Sequence, residues 1–76
     1  MFLGDKYVDY SILIKSLRDK MLVSQQELAK LLDVSFATVN RWEKNRTTPS
    51  IKAKRKLSPL FIKYNIKVEE KKNESK

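Results

Sequence analysis

Only Asp33, Val34 and Ser35 separate two short segments of helical periodicity. In the first, "SQQELAKLL", Ser24 is followed three residues later by Glu27. Each of these side chains can satisfy a backbone N–H of the first helical turn, so a helix is predicted over 25–32. Leu28, Leu31 and Leu32 supply its apolar positions, and Ala29 allows close approach. The second segment follows Ser35, a capping residue, and has Val39 and Trp42 as inward positions of a helix predicted over 36–44. Two short helices joined this tightly must cross at a large angle. That requirement constrains the fold more than any other feature of the chain.

The flanking segments are also helical in pattern. Tyr10, Ile14, Leu17 and Met21 fall on one face of a helix predicted over 10–21, with Asp9 as its N-cap. Asn45 suits the left-handed position that ends the preceding helix when glycine is absent. Beyond the loop "NRTTPS", Ala53, Leu57, Leu60, Phe61 and Tyr64 share a face of a fourth helix, predicted over 50–64. Thr48 is its expected cap and Pro49 its expected first position. Pro59 lies inside this pattern and is expected to kink or split the helix near Leu57–Ser58. No segment sustains period-2 alternation, so no sheet is expected.

With 76 residues the chain makes one small domain, expected over 1–66 with its central helix pair at 24–44. A domain of this size buries only about 60% of its unfolded surface, so self-association would help it. Residues 67–76 form a charged tail, expected to be disordered. Phe2, Leu3, Tyr7 and Val8 could pack back on the domain or form an arm. There is no cysteine and no histidine. Disulfides, thiolate metal sites and the usual general base near pH 7 are therefore absent, and neither an enzyme nor a metal or other cofactor is expected. No apolar run reaches the ~20 residues of a membrane span, and the N-terminus lacks the pattern of a signal peptide, so the expected compartment is the cytoplasm.

Net charge is +8 and uneven. Residues 1–50 carry eight Lys/Arg against six Asp/Glu, and residues 51–76 carry nine against three. Such a surplus suggests a polyanionic partner, with nucleic acid first. The crossed helix pair suggests the same partner, because in the helix-turn-helix the second helix enters the DNA major groove.

Over about 15–57 the sequence resembles the helix-turn-helix of the Cro and phage-repressor type, often called Xre-like. The matching positions are Leu17-Arg18, Ser24-Gln25, Glu27-Leu28-Ala29, Leu32, Val34-Ser35, Thr38-Val39, Arg41-Trp42-Glu43 and Pro49, all without a gap. The resemblance implies an all-α fold, a small four- to five-helix bundle of the lambda-repressor-like DNA-binding kind. The chain departs from the family where glycine is usual, at Leu22, Asp33 and Asn45. Asp and Asn enter the left-handed region at modest cost. Leucine does not, so Leu22 either takes another turn geometry or carries strain.

The resemblance also implies roles for residues. Gln25, at the start of the second helix, matches a glutamine that bonds a DNA phosphate, where the helix N-terminus attracts the same anion. Phe36, Ala37, Asn40 and Arg41 match positions that contact base edges. Arg41 suits guanine, Asn40 suits adenine or a phosphate, and Phe36 or Ala37 suits a thymine methyl. Thr38, Lys44, Arg46, Thr47 and Thr48 are placed for phosphates and would orient the helix without reading sequence. Arg18 and Glu43 match a structural ion pair that ties the third helix to the first. Lys52, Lys54, Arg55 and Lys56 are expected on a solvated face that still adds diffuse attraction for DNA.

The expected function is thus a sequence-specific transcriptional regulator, a repressor binding a palindromic operator in double-stranded DNA as a homodimer. Candidate dimer surfaces are the fourth helix beyond Pro59 (Phe61, Ile62, Tyr64, Ile66) and the N-terminal segment. The alternative is an antitoxin-like or other protein-interaction module with secondary DNA binding, built on Phe2, Leu3, Ile62 and Ile66. A basic helix lying on a membrane surface, using 51–66, is disfavoured because its apolar stripe is needed for the core.

Overall fold

The computed structural model describes residues 6–68 and 71–72. Four helices carry the all-α fold: α1 (Tyr10–Met21), α2 (Gln25–Leu32), α3 (Phe36–Glu43) and α4 (Ile51–Lys63). The first two match the predicted spans. α3 ends one residue early, at Glu43, with Lys44 as its cap, which is within the usual spread at helix ends. Phe2 and Leu3, and most of the charged tail, lie outside the described residues.

The N-termini follow local chemistry. Asp9 accepts from the Ser11 amide of α1, and Ser24 and Glu27 form the reciprocal capping box of α2. Ser35 accepts from the Thr38 amide of α3. At α4 the expectation fails: the cap is Ser50, which accepts from the Ala53 amide at 3.2 Å, and Thr48 and Pro49 stay in the loop. Ser50 holds an extended backbone, ψ 167°, while Pro49 is buried in the loop before it. Both Thr48 and Ser50 carry a capping hydroxyl, so local chemistry alone does not choose between them.

All four helices end alike, on a non-glycine residue with positive φ: Leu22, Asp33, Asn45 and Asn65. In each, the next amide reaches back five residues: Val23 to Arg18, Val34 to Ala29, Arg46 to Arg41 and Ile66 to Phe61, at 2.8–3.2 Å. This is the Schellman arrangement, and it satisfies carbonyls that a helix end otherwise leaves orphaned. Leu22 therefore takes the strained geometry, φ 59°, rather than an alternative turn.

Ile14, Leu17, Leu28, Ala29, Leu32, Val39, Trp42, Ala53, Leu57 and Phe61 form one buried cluster. Tyr10, Met21, Leu60 and Tyr64 pack at its edge, and Leu31, read as an apolar position of α2, is instead exposed. α3 packs on both α1 and α2. α4 packs on α2, and Phe61 reaches Tyr10 of α1 with ring centroids 6.5 Å apart.

Two expectations at the C-terminal end need correction. α4 runs unbroken through Pro59 and is not split. Pro59 is on the exposed side, away from the packed face, while Leu57 and Phe61 hold the helix to the core. Two short strands also occur, β1 (Lys6–Tyr7) and β2 (Lys71–Lys72), antiparallel with Lys6 opposite Lys72 and Tyr7 opposite Lys71. Two residues per strand are too few for alternation to register in the sequence, and the pairing is made by backbone groups.

Candidate nucleic-acid interface

α3 is anchored by Val39, Trp42 and Glu43, all buried. The anchoring is polar as well as apolar. Arg18 Nε donates to Glu43 Oε2 at 2.6 Å, and Arg18 Nη2 donates to Glu43 Oε1 at 2.9 Å. The third donor, Nη1, reaches the Val23 carbonyl at 3.2 Å. This two-pronged pair fixes α3 against α1. Burial pushes the Glu43 carboxyl up, but the hydrogen bonds from Arg18 and Gln25 and the charges of Arg18 and Lys15 outweigh it, so the net shift is down. The hydrogen bond to Glu43 raises the Arg18 guanidinium in turn.

The network extends to two further candidate residues. Gln25 Nε2 donates to Glu43 Oε1 at 2.9 Å, and Asn40 Nδ2 donates to Gln25 Oε1 at 3.1 Å. The orientation follows from chemistry. An ionised carboxylate only accepts, so Gln25 must turn its amide nitrogen to Glu43, and its oxygen is left for Asn40. Arg18, Glu43, Gln25 and Asn40 thus link α1, α3 and the start of α2 in one chain of bonds. The sequence offered no local sign of the Gln25 connections, because Gln25 lies 15 and 18 residues from its two partners.

The outer face of α3 is centred on Ala37 and Arg41, one turn apart and both exposed. Phe36 flanks them at the N-terminal end and is 50% exposed, outside the core cluster. Asn40 lies one turn on from Phe36, on the same flank of that face, half-buried. Thr38 is half-buried too, its hydroxyl 2.8 Å from that of Ser35. Lys44, Arg46, Thr47 and Thr48 are exposed along the loop that leaves α3.

The basic run of α4 is partly engaged within the fold. Lys56 Nζ donates to the Leu32 carbonyl at 3.3 Å, and Lys54 Nζ lies 5.2 Å from the centre of the Tyr10 ring. Lys52 and Arg55 are exposed. Of the apolar dimer candidates, Phe61 belongs to the core and Tyr64 and Ile66 pack partly against it. Ile62 is 77% exposed. Among the described residues no group of His, Cys, Asp or Glu could hold a metal ion, and no helix is long and apolar enough to cross a membrane.

Two short helices crossed in this way, the second turned outward on a buried anchor, make a helix-turn-helix DNA-binding domain. A helix-turn-helix family profile of the Cro and phage-repressor, Xre-like type matches residues 14–58, and the chain belongs to that family, a family of transcription regulators. No match was found among curated proteins. None was found among solved structures.

Proposed function

We propose that the chain is a cytoplasmic, sequence-specific repressor that binds a two-fold symmetric DNA operator as a homodimer, with α3 of each copy in the major groove. The observation that carries this reading is the division of α3. Its inner residues are fixed by Trp42, Val39 and the Arg18–Glu43 pair, while Phe36, Ala37 and Arg41 stand exposed with Asn40 beside them. A rigidly held helix with an outward row of side chains is what base readout in the major groove requires.

Gln25, Thr38, Lys44, Arg46, Thr47 and Thr48 would meet phosphates around that helix. Gln25 keeps one amide hydrogen beyond its bond to Glu43 for that purpose. The start of α2, where Gln25 sits, adds unpaired backbone N–H groups and the positive end of the helix dipole. In a dimer the two α3 helices would lie about one turn of DNA apart, roughly 34–36 Å. Ile62 is the most exposed of the apolar α4 candidates for the contact between copies.

Selection of the full chain against random duplexes tests the proposal. Enrichment of a two-fold symmetric site is the expected result. Absence of any enrichment at low salt would overturn it, and a recovered site without symmetry would overturn the homodimer.

A further inference from the structure

We propose that the outward face of α4 docks an acidic amphipathic helix of another protein, with Ile51 and Ile62 as the apolar contacts and Arg55 between them as the cation that takes a carboxylate.

The face is what α4 does not use for folding. Ala53, Leu57 and Phe61 are buried in the core. On the opposite side Ile51, Lys52, Arg55, Ile62 and Lys63 are all exposed. The pair Ile-Lys occurs at 51–52 and again at 62–63. That spacing makes three helical turns to within about 20°, so the two pairs lie in line, about 16 Å apart along the axis. Arg55 falls on the same line, one turn after Ile51. Ile51 is 68% and Ile62 77% exposed, so the line leaves an isoleucine in water at each end. Single exposed apolar residues are ordinary, but two in register along three turns form a row that a partner helix can follow.

Charge selects the partner. α4 carries five Lys/Arg and no Asp or Glu. Lys54 and Lys56 are engaged with the Tyr10 ring and the Leu32 carbonyl. Among the described residues no carboxylate pairs with Lys52, Arg55 or Lys63. A second copy laid antiparallel along this line would set Lys52 against Lys63, and like charges across a contact oppose it. An acidic helix turns the same charges into attraction, and the Arg55 guanidinium can take a carboxylate with two parallel bonds. DNA phosphates would satisfy the cations but give the isoleucines nothing to be buried against. Ile62 is also the residue proposed for the contact between copies. On that reading a helix seated on α4 keeps two copies apart, and its docking releases the operator.

The probe is a synthetic amphipathic helix with two leucines at the spacing of Ile51 and Ile62 and glutamate on both flanks. Its control has glutamine for every glutamate. With the full chain and no DNA, amide shifts should cluster at Ile51, Lys52, Arg55, Ile62 and Lys63, and the control should bind more weakly by about ten-fold. Added salt should weaken the acidic helix. Arg55→Glu should weaken it by more than about ten-fold, and Ile62→Ser should weaken it too. Both positions are exposed, so the urea midpoints of the two variants should stay close to that of the parent chain. No shifts at about 1 mM peptide, equal binding of the control, or shifts centred away from α4 would overturn the docking face. A duplex that shifts these five amides makes DNA the occupant and overturns it as well. So does self-association of the free chain that Arg55→Glu strengthens, which makes a second copy the occupant. Peptide binding that leaves occupancy of the symmetric duplex unchanged keeps the docking face and overturns the release. Failure of the duplex selection overturns the operator reading and leaves the docking measurement standing.

Discussion

Glu43 is the residue on which the site's geometry turns. It is a carboxylate at the end of α3 that is only 5% exposed, and it stays ionised because Arg18 and Gln25 donate to it. Removing a partner of such a group leaves a buried charge short of compensation. Arg18→Ala should therefore cost about 3 kcal/mol, read as a lowered urea midpoint; a loss below about 1 kcal/mol would mean the pair behaves as a surface bridge. The same pair sets a pH dependence. The carboxyl titrates lower in the folded chain than in the unfolded one, so its contribution is complete above the unfolded value of about 4.3 and is lost as pH falls through the folded value. Acid unfolding should accordingly be displaced to higher pH in Gln25→Ala, which removes one of the donors. Leu22 is a simpler case. It is 88% exposed and sits at φ 59°, where a leucine costs about 1–2 kcal/mol. Leu22→Gly should stabilise the domain by about 0.5–1 kcal/mol after the added freedom of the unfolded glycine is discounted. An unchanged or lower midpoint would show that the leucine is not strained there.

At the level of elements, starts were more legible than ends. Asp9, the Ser24–Glu27 box and Ser35 are short-range signals, and each caps the helix it was expected to cap. The start of α4 is ambiguous in the sequence because Thr48-Pro49-Ser50 holds two capping residues around a proline. Of the four helix ends, Asn45 is legible from its residue type, whereas Leu22 gives no such sign. A proline on the exposed side of an otherwise anchored helix removes one bond without breaking the helix. It still has a cost, about 3 kcal/mol against alanine in a helix interior, offset by about 0.4–1 kcal/mol through its stiffening of the unfolded chain. Pro59→Ala should raise stability by about 2 kcal/mol in urea titration, and a destabilised variant would show that α4 depends on the proline.

For the molecule as a whole, charge distribution matters more than net charge. From Lys44 to Val68 the sequence holds eight Lys/Arg and no Asp or Glu, so the loop after α3 and all of α4 present one sign. Lys54 and Lys56 make contacts within the fold, which directs attention to Lys44 and Arg46 beside the outer face of α3. Affinity for DNA should fall with salt at a slope of about −0.9 per phosphate neutralised, and Arg46→Ala should reduce that slope by about 0.9 per subunit. A slope unchanged by the substitution would place Arg46 away from the backbone.

The sequence by itself determined the helices, their crossed pair and the family, because caps, apolar periodicity and a three-residue connection act over a few residues and leave their marks in order along the chain. It also placed Arg18 and Glu43 together through resemblance. Tertiary structure alone decided that Leu31 faces solvent, that Gln25 donates to Glu43, and that Asn40 donates to Gln25. Those outcomes depend on which faces meet when helices distant in sequence pack, and on which donor finds the buried carboxylate. Neither is encoded in the local pattern.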